Sequence, residues 1–302
     1  MEYTLLGSTD LRVSKLGLGG APLAGDFHST DETEVQRVIH EALDLGINFI
    51  DTAPIYGMGE SERRIGKALS EGKRKGVVLA TKAVKHFMPY TYANMLQSVE
   101  ESLTRLRTDW IDILQLHDVE TQPYELIVNE TIPALEKLKR DGKIRYTGVS
   151  SRHLNVLMDY MRTGHFDAIQ FYARYMLLDH SAKDEVLPLA RALGMGVING
   201  SVLAMGILAD SPAEFLQNNR EQLEKANAMM EELSFLRKTE TKGLIEPAMR
   251  FSLANPDIHV TLSGSASLRD IRSNASYCDG QGLSAEELQR VYGLFRGEHL
   301  FP

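Results

Sequence analysis

Residues 48–69 read NFIDTAPIYGMGESERRIGKAL. The first four are a short apolar strand that ends on an acid, Asp51. Residues 52–59 carry Pro54, Gly57 and Gly59, which break regular structure. From Ser61 to Leu69, apolar Ile65, Ala68 and Leu69 recur at helical spacing. Strand, glycine-marked loop and helix in so short a stretch make one βα unit. It delivers Asp51 at the strand end and Tyr56 in the loop that follows.

The same rhythm extends in both directions. A hairpin is predicted at residues 3–6 and 11–13, then a strand at 16–18. Ser29 with Glu32 forms a capping box before the helical pattern Val35, Ile39, Ala42, Leu43. Beyond the quoted stretch, strands are predicted at 77–82, 111–117, 146–150, 168–171, 196–199 and 259–262. Helices at about 93–106, up to 141–142, at 153–162 and at 184–193 lie between them, and Ser284 with Glu287 caps a terminal helix. Strands so uniformly aliphatic, each followed by a helix, are buried parallel strands. Eight such units in 302 residues predict the α/β class and a (β/α)8 TIM barrel, with an N-terminal β-hairpin and extra helices. No Gly-, Pro- or Ser-rich linker interrupts the series, so residues 1–302 are expected to form a single barrel domain, with the polar segment 210–241 as its main insertion.

Composition narrows the function. The chain is 43% hydrophobic and 25% charged, with a net charge of −8. No basic stripe marks a nucleic-acid partner, and the cluster Lys73-Arg74-Lys75 reads as a solvated loop. Cys278 is the single cysteine, which fits a reducing compartment. Without a signal-like apolar core or a run of ~20 apolar residues, a cytoplasmic protein with no membrane partner is expected. The histidines show no metal-binding spacing, so no metal is expected. Neither Gly17-Leu18-Gly19-Gly20-Ala21-Pro22 nor Gly57-Met58-Gly59 completes a dinucleotide fingerprint of the Rossmann kind.

In a parallel barrel, chemistry collects at the carboxyl ends of the strands. Asp51, Lys82 and His117 close three successive predicted strands, and Tyr56 follows the first. Each has a structural reading taken singly: an internal acceptor, a packing phenol, a buried lysine with a partner, a satisfied histidine. Together they form a proton-transfer device. A phenol with its ordinary pKa of ~10 exchanges protons poorly at neutral pH. A neighbouring ammonium lowers that value, and an acid can hold the ammonium in place. A neutral imidazole then orients a carbonyl or hydroxyl. The set suits proton transfer at an oxygen while a hydride moves at the attached carbon.

With DTAPIYGMGESERRIGKAL, the ATK strand end, IDILQLHD, GKIRYTGVSS, FDAIQFY and TLSGSASLRDIRSN in place, the chain resembles the aldo-keto reductase family over nearly its full length. The resemblance implies that Tyr56 is the general acid/base, that Lys82 and Asp51 tune it, and that His117 orients the substrate oxygen. It implies a nicotinamide cofactor, with Ser150, Ser151 and Gln170 at the carboxamide and Gly20 and Ala21 beside Asp51. Ser201, Val202, Leu203, Met205 and Gly206 would wrap the pyrophosphate. Gly264, Ser265, Ala266, Ser267, Asp270 and Asn274 would meet the adenosine half, although Ser267 reads equally well as a simple helix cap. Two departures stand out. Gly200 replaces the aromatic residue that many members stack on the nicotinamide. Gly264 and Asp270 stand where NADP-preferring members often place Lys and Arg, which favours NAD, with NADP the alternative through Arg269 or Arg272.

VINGSVLAMGIL and QFYARYMLLDH resemble the branch that contains L-galactose, L-fucose and D-threo-aldose dehydrogenases. That resemblance implies oxidation of an aldose or similar polyol. Phe27, His28, His86, Phe87, Tyr172 and Arg174 follow predicted strand ends and are the expected pocket lining around Tyr56 and His117. The alternatives are an NADPH-dependent aldehyde or ketone reductase of broad specificity, and a cofactor-binding regulatory subunit with little catalysis. In the enzyme readings the partner is a small molecule: a sugar, aldehyde or ketone.

Overall fold

The computed structural model describes residues 1–25, 30–70, 72–85, 87–238 and 243–301. Its centre is a closed barrel of eight parallel strands. These are β3 (Leu16–Gly19), β4 (Phe49–Asp51), β5 (Val78–Ala83), β6 (Ile111–Leu116), β7 (Ile144–Ser150), β8 (Ala168–Tyr172), β9 (Gly196–Gly200) and β10 (Val260–Ser263). They follow one another round the barrel in chain order, and β10 closes on β3. Before them β1 (Tyr3–Leu5) and β2 (Arg12–Ser14) form the antiparallel hairpin. Boundaries differ from the predicted ones by one or two residues, and His117 falls just beyond β6.

Helices α1 (Glu32–Asp44), α2 (Glu60–Leu69) and α3 (Tyr92–Leu106) follow β3, β4 and β5. After β6, α4 (Tyr124–Leu126) passes through a wide turn into α5 (Ile132–Arg140). Next come α6 (Leu154–Met161) and α7 (Val186–Leu193). The insertion after β9 supplies α8 (Glu214–Gln217) and α9 (Arg220–Glu232), and α10 (Ile245–Leu253) leads into β10. Finally α11 (Leu268–Ser276) and α12 (Ala285–Gly293) close the chain. The capping box at Ser284 and Glu287 forms as expected. Of the box expected at Ser29 and Glu32, Ser29 lies outside the described residues, and Glu32 is the first helical residue rather than the third. Asp31 caps α1, accepting from the Thr33 and Glu34 amides at 2.9 and 3.1 Å. Its carboxylate satisfies two free amides of the first turn and also favours the positive helix end.

Strand geometry decides which residues meet inside. Side chains alternate between faces, so Phe49 and Asp51 share one face, as do Val78, Ala80 and Lys82, and Ile113 and Gln115. Phe49, Val78, Ala80, Ile113, Ala168, Ile198, Val260 and Leu262 form one apolar cluster together with Leu6, Leu11 and Val13. The hairpin thus plugs one end of the barrel; a Cβ at Gly196 would stand 2.5 Å from Leu6 Cγ. One layer further along the strands, the same face turns polar: Asp51, Lys82, Gln115, Ser150 and Gln170 are all buried.

The Lys73–Lys75 expectation is corrected in part. Arg74 is buried, donates to Asp112 at 2.8 Å and to the Val77 and Trp110 carbonyls, and packs its guanidinium over the Trp110 ring. Burial lowers its pKa, with Asp112 opposing. It ties the entry of β5 to β6 rather than facing solvent.

Candidate active site

The polar layer is organised by Asp51. Its side chain is 2% exposed, and Lys82, at 1%, donates to Oδ1 at 2.9 Å and to Oδ2 at 2.7 Å. The ammonium also donates to the Thr52 carbonyl at 2.9 Å. Gln115 Nε2 donates to Asp51 Oδ1 at 2.9 Å, and Gln170 Nε2 approaches Oδ2 at 3.5 Å. A buried charge pair is stable only when its remaining lone pairs and protons are satisfied, and here the neighbouring amides and a carbonyl do that.

Tyr56 sits above this pair because of its loop. Its amide bonds the Ala53 carbonyl at 3.1 Å, and Gly57, Met58 and Gly59 follow with φ of 53°, 53° and 95°. Three left-handed residues in succession turn the chain sharply into α2, and a Cβ at Gly57 would stand 2.8 Å from the Ala24 Cβ. The Lys82 ammonium is 5.2 Å from the centre of the Tyr56 ring. His117 meets the same ring edge-on, with centroids 6.0 Å apart and planes at 90°. All four expected catalytic groups are therefore brought together.

The electrostatics refine the expectation. Burial opposes the charge on Lys82, yet Asp51 and Tyr56 outweigh it and push its pKa up. Burial also raises the Tyr56 phenol, with Lys82 lowering and Asp51 raising it. The ammonium acts in the expected direction but does not overcome desolvation, so ligand-free Tyr56 is held as the neutral acid.

The rim is more acidic than the sequence suggested. Asp118 follows His117 in a left-handed conformation, φ 46°, and its amide bonds Ser150 Oγ at 3.0 Å. Its Oδ2 is 4.0 Å from His117 Nε2. The Tyr172 phenol is raised by burial and then by Asp118, while Arg152 lowers it and Glu120 raises it. Glu120 Oε2 and Arg152 Nε are buried without hydrogen-bond partners among the described residues. Sequence reading missed Asp118, Glu120 and Gln115. The alternation of strand faces was the available signal for Gln115, two residues before His117.

The pocket-lining expectations divide. Phe27, His28 and His86 lie outside the described residues. Phe87 is exposed on the loop after β5, and Tyr172 closes β8, half-buried. Arg174 is engaged elsewhere. It is buried and donates to Asp179 at 3.0 Å, to the Arg152 carbonyl and to the Phe301 carbonyl. Asp179 also meets His299 at 2.8 Å, so Arg174 seats the C-terminal segment.

The expected cofactor groups form an arc along the strand ends. Gln170 Oε1 is buried without a partner among the described residues, an acceptor suited to an amide N–H. Ser201, Met205 and Gly206 all have positive φ in the loop after β9. Gly200 pairs in register with Tyr172, and a side chain there would stand 3.2 Å from Tyr172 Cβ. Ser151 Oγ is occupied by the His153 backbone, and Ser150 Oγ by Asp118. Gly20, beside Ala21, donates its amide to the Asp51 carbonyl at 2.7 Å, which leaves no room for a Cβ. At the other end, Ser267 caps α11 and Ser265 Oγ reaches Asp270 Oδ2 at 3.2 Å. Val202 is buried, Leu203 and Ala266 are half-buried, and Gly264 is exposed. Asn274 points inward, donating to Ser263 Oγ at 2.8 Å. These residues suit a nicotinamide dinucleotide: an unpaired amide-binding acceptor at one end and an α-helix amino end at the other.

The chain is similar to known proteins of one family. Residues 15–295 match the model of the aldo/keto reductase family. L-galactose dehydrogenase of Arabidopsis thaliana is 34% identical over 97% of this chain and 94% of its own length. D-threo-aldose 1-dehydrogenase of a Pseudomonas species is 32% identical over 67% of this chain and 69% of its own. Among solved structures, the holo form of an aldo-keto reductase from Bacillus halodurans superposes with a TM-score of 0.80, at 32% identity over 97% of this chain and 96% of that one. The chain belongs to the aldo/keto reductase family of nicotinamide-dependent oxidoreductases.

Proposed function

We propose that this protein is an NAD-linked dehydrogenase that oxidises an aldose or a closely similar polyol, with Tyr56, Lys82, Asp51 and His117 as its catalytic residues. The observation that carries the chemistry is the buried Asp51–Lys82 pair set against the Tyr56 ring, with His117 at that ring's edge. A bound nicotinamide supplies the hydride acceptor at the substrate carbon. For oxidation Tyr56 acts as its phenolate, whose charge the Lys82 ammonium stabilises; it takes the hydroxyl proton and becomes the neutral phenol, while His117 holds the substrate oxygen. Gln170 would hold the carboxamide, and the helix end at Ser265–Ser267 the adenosine side.

NAD rather than NADP is supported by charge. Of the two cations that could meet a 2′-phosphate, Arg272 is instead bonded to Glu41 of α1 at 2.6 Å, while Arg269 is exposed near the start of α11. Asp270 adds a carboxylate to the same helix end, where it would repel a phosphate. The sugar reading draws on the two relatives named as sugar dehydrogenases and on the acidic rim. Asp118 and Glu120 suit a ligand rich in hydroxyl donors and disfavour an anionic one.

The test follows reduced-nicotinamide absorbance as the protein meets a panel of aldoses with NAD⁺ and NADP⁺ in parallel. NADH formation with a neutral aldose is expected. NADPH consumption by simple aldehydes, with no oxidation of any sugar, would replace this reading with the carbonyl-reductase one.

A further inference from the structure

We infer that Gln115 is a positioning residue of the catalytic centre, holding Asp51 in the orientation that presents Lys82 to Tyr56. The inference rests on the proposed role of Tyr56. Gln115 is fully buried, on the inner face of β6, in register with Lys82 on one side and with Gly148 on the other. Its amide is the strongest neutral donor to the Asp51 side chain, at 2.9 Å against 3.5 Å for Gln170. It reaches Asp51 Oδ1, the same oxygen that accepts one of the Lys82 bonds.

Two features argue that this contact is more than filling. A Cβ at Gly148 would stand 2.9 Å from Gln115 Cγ, so the neighbouring strand leaves space for this side chain in this rotamer. Moreover, Gln115 Oε1 is buried without a hydrogen-bond partner among the described residues. An unpaired buried acceptor is a standing cost that leucine or methionine would avoid. The compensation is the donor end. By taking up part of the Asp51 charge, it keeps Oδ1 from drawing the ammonium wholly to itself and away from the phenol.

The charged and titratable groups on the elements packed around position 115 are Asp51 on β4, Lys82 on β5, and beyond them Tyr56, His117 and Asp118. From β7 comes, deeper, Tyr146, whose hydroxyl donates to Asp10 at 3.0 Å. From β8 comes Gln170, which does not titrate.

Two substitutions separate positioning from packing. In ligand-free protein, Tyr56 is titrated by carbon NMR of tyrosine labelled at Cζ, its resonance assigned by its loss in Tyr56→Phe. Gln115→Leu should move the midpoint up by about 0.5 to 1 unit, a change of about 3- to 10-fold in acid constant. Oxidative kcat should fall about tenfold with KM within about twofold. Gln115→Glu keeps the shape. When protonated it donates to Asp51 as the amide does; when ionised it sets a second negative charge beside Asp51. Its activity relative to the parent protein should therefore be near normal at low pH and disappear as pH rises. An unchanged Tyr56 midpoint in Gln115→Leu overturns the inference, whatever happens to thermal stability. So does a uniform loss in Gln115→Glu at every pH. A shifted midpoint in a protein that turns over no sugar or carbonyl would support the Gln115–Asp51 coupling and sink the dehydrogenase reading instead.

Discussion

Asp51 and Lys82 are joined by two hydrogen bonds, 2.9 and 2.7 Å, in a layer from which solvent is excluded. The ammonium's third donor goes to the Thr52 carbonyl, and its charge faces the Tyr56 ring at 5.2 Å from the ring centre. The pair is therefore both a structural strut and the source of the charge that Tyr56 works against.

Replacing Lys82 with Met leaves Asp51 buried without its counter-charge. Breaking a buried pair from one side costs about 3–5 kcal/mol. Denaturant unfolding should show that loss, and turnover should fall by about 10²–10⁴-fold, the contribution of a tuned proton donor. Full stability in Lys82→Met would contradict the strut role.

The pH profile follows from the Tyr56 phenol, which burial raises above its ordinary value of 10.0. Oxidation needs the deprotonated phenol, so kcat/KM for oxidation should climb with pH through the neutral and mildly alkaline range. Reduction uses the protonated form and should not share that rise. In Tyr56→Phe the residual rate should lose this dependence, while nicotinamide binding, followed by quenching of protein fluorescence, persists. A pH-dependent Tyr56→Phe rate of normal size would remove Tyr56 from the mechanism.

Cofactor choice can be addressed through Glu41. Its carboxyl is held below the ordinary value by its hydrogen bond with Arg272. Glu41→Gln weakens that hold and frees the guanidinium at the first turns of α11. NADP⁺ should then bind a few-fold more tightly, with NAD⁺ affinity unchanged. Arg272→Ala should alter neither cofactor selectively; a selective loss of NADP⁺ binding would show that the arginine already serves a phosphate.

Arg174→Ala removes the guanidinium that joins Asp179 to the Phe301 carbonyl. Asp179 keeps its Ser181 bonds but loses a buried counter-charge, so stability should fall by about 3 kcal/mol or more. Hydrogen exchange should rise in residues 297–301. Protection equal to that of the parent protein would place the anchor of the C-terminal segment elsewhere.

Much of this was legible in the sequence. Aliphatic strands such as VVLATK and IDILQLH announced burial on both faces, and their count announced the barrel. Their terminal residues supplied Asp51, Lys82 and His117. The rest depended on distances that no spacing encodes. Arg74 looked solvated because only the fold brings Asp112 and Trp110 against it. Arg174 looked like a pocket residue because its partners Asp179 and Phe301 become neighbours only when the chain end packs. The direction of the Tyr56 shift depended on burial, which opposes the ammonium and was invisible to motif reading.

The hairpin at the opposite end of the barrel also acts on the chemistry. Leu6, Leu11 and Val13 close the apolar column on which Asp51 and Lys82 rest. A dry column is an electrical insulator, and charges above it are not screened from below. Were residues 1–14 removed, water could climb the barrel axis and weaken the field that Lys82 exerts on Tyr56. A segment with no catalytic side chain would then govern reactivity from the far end of the molecule.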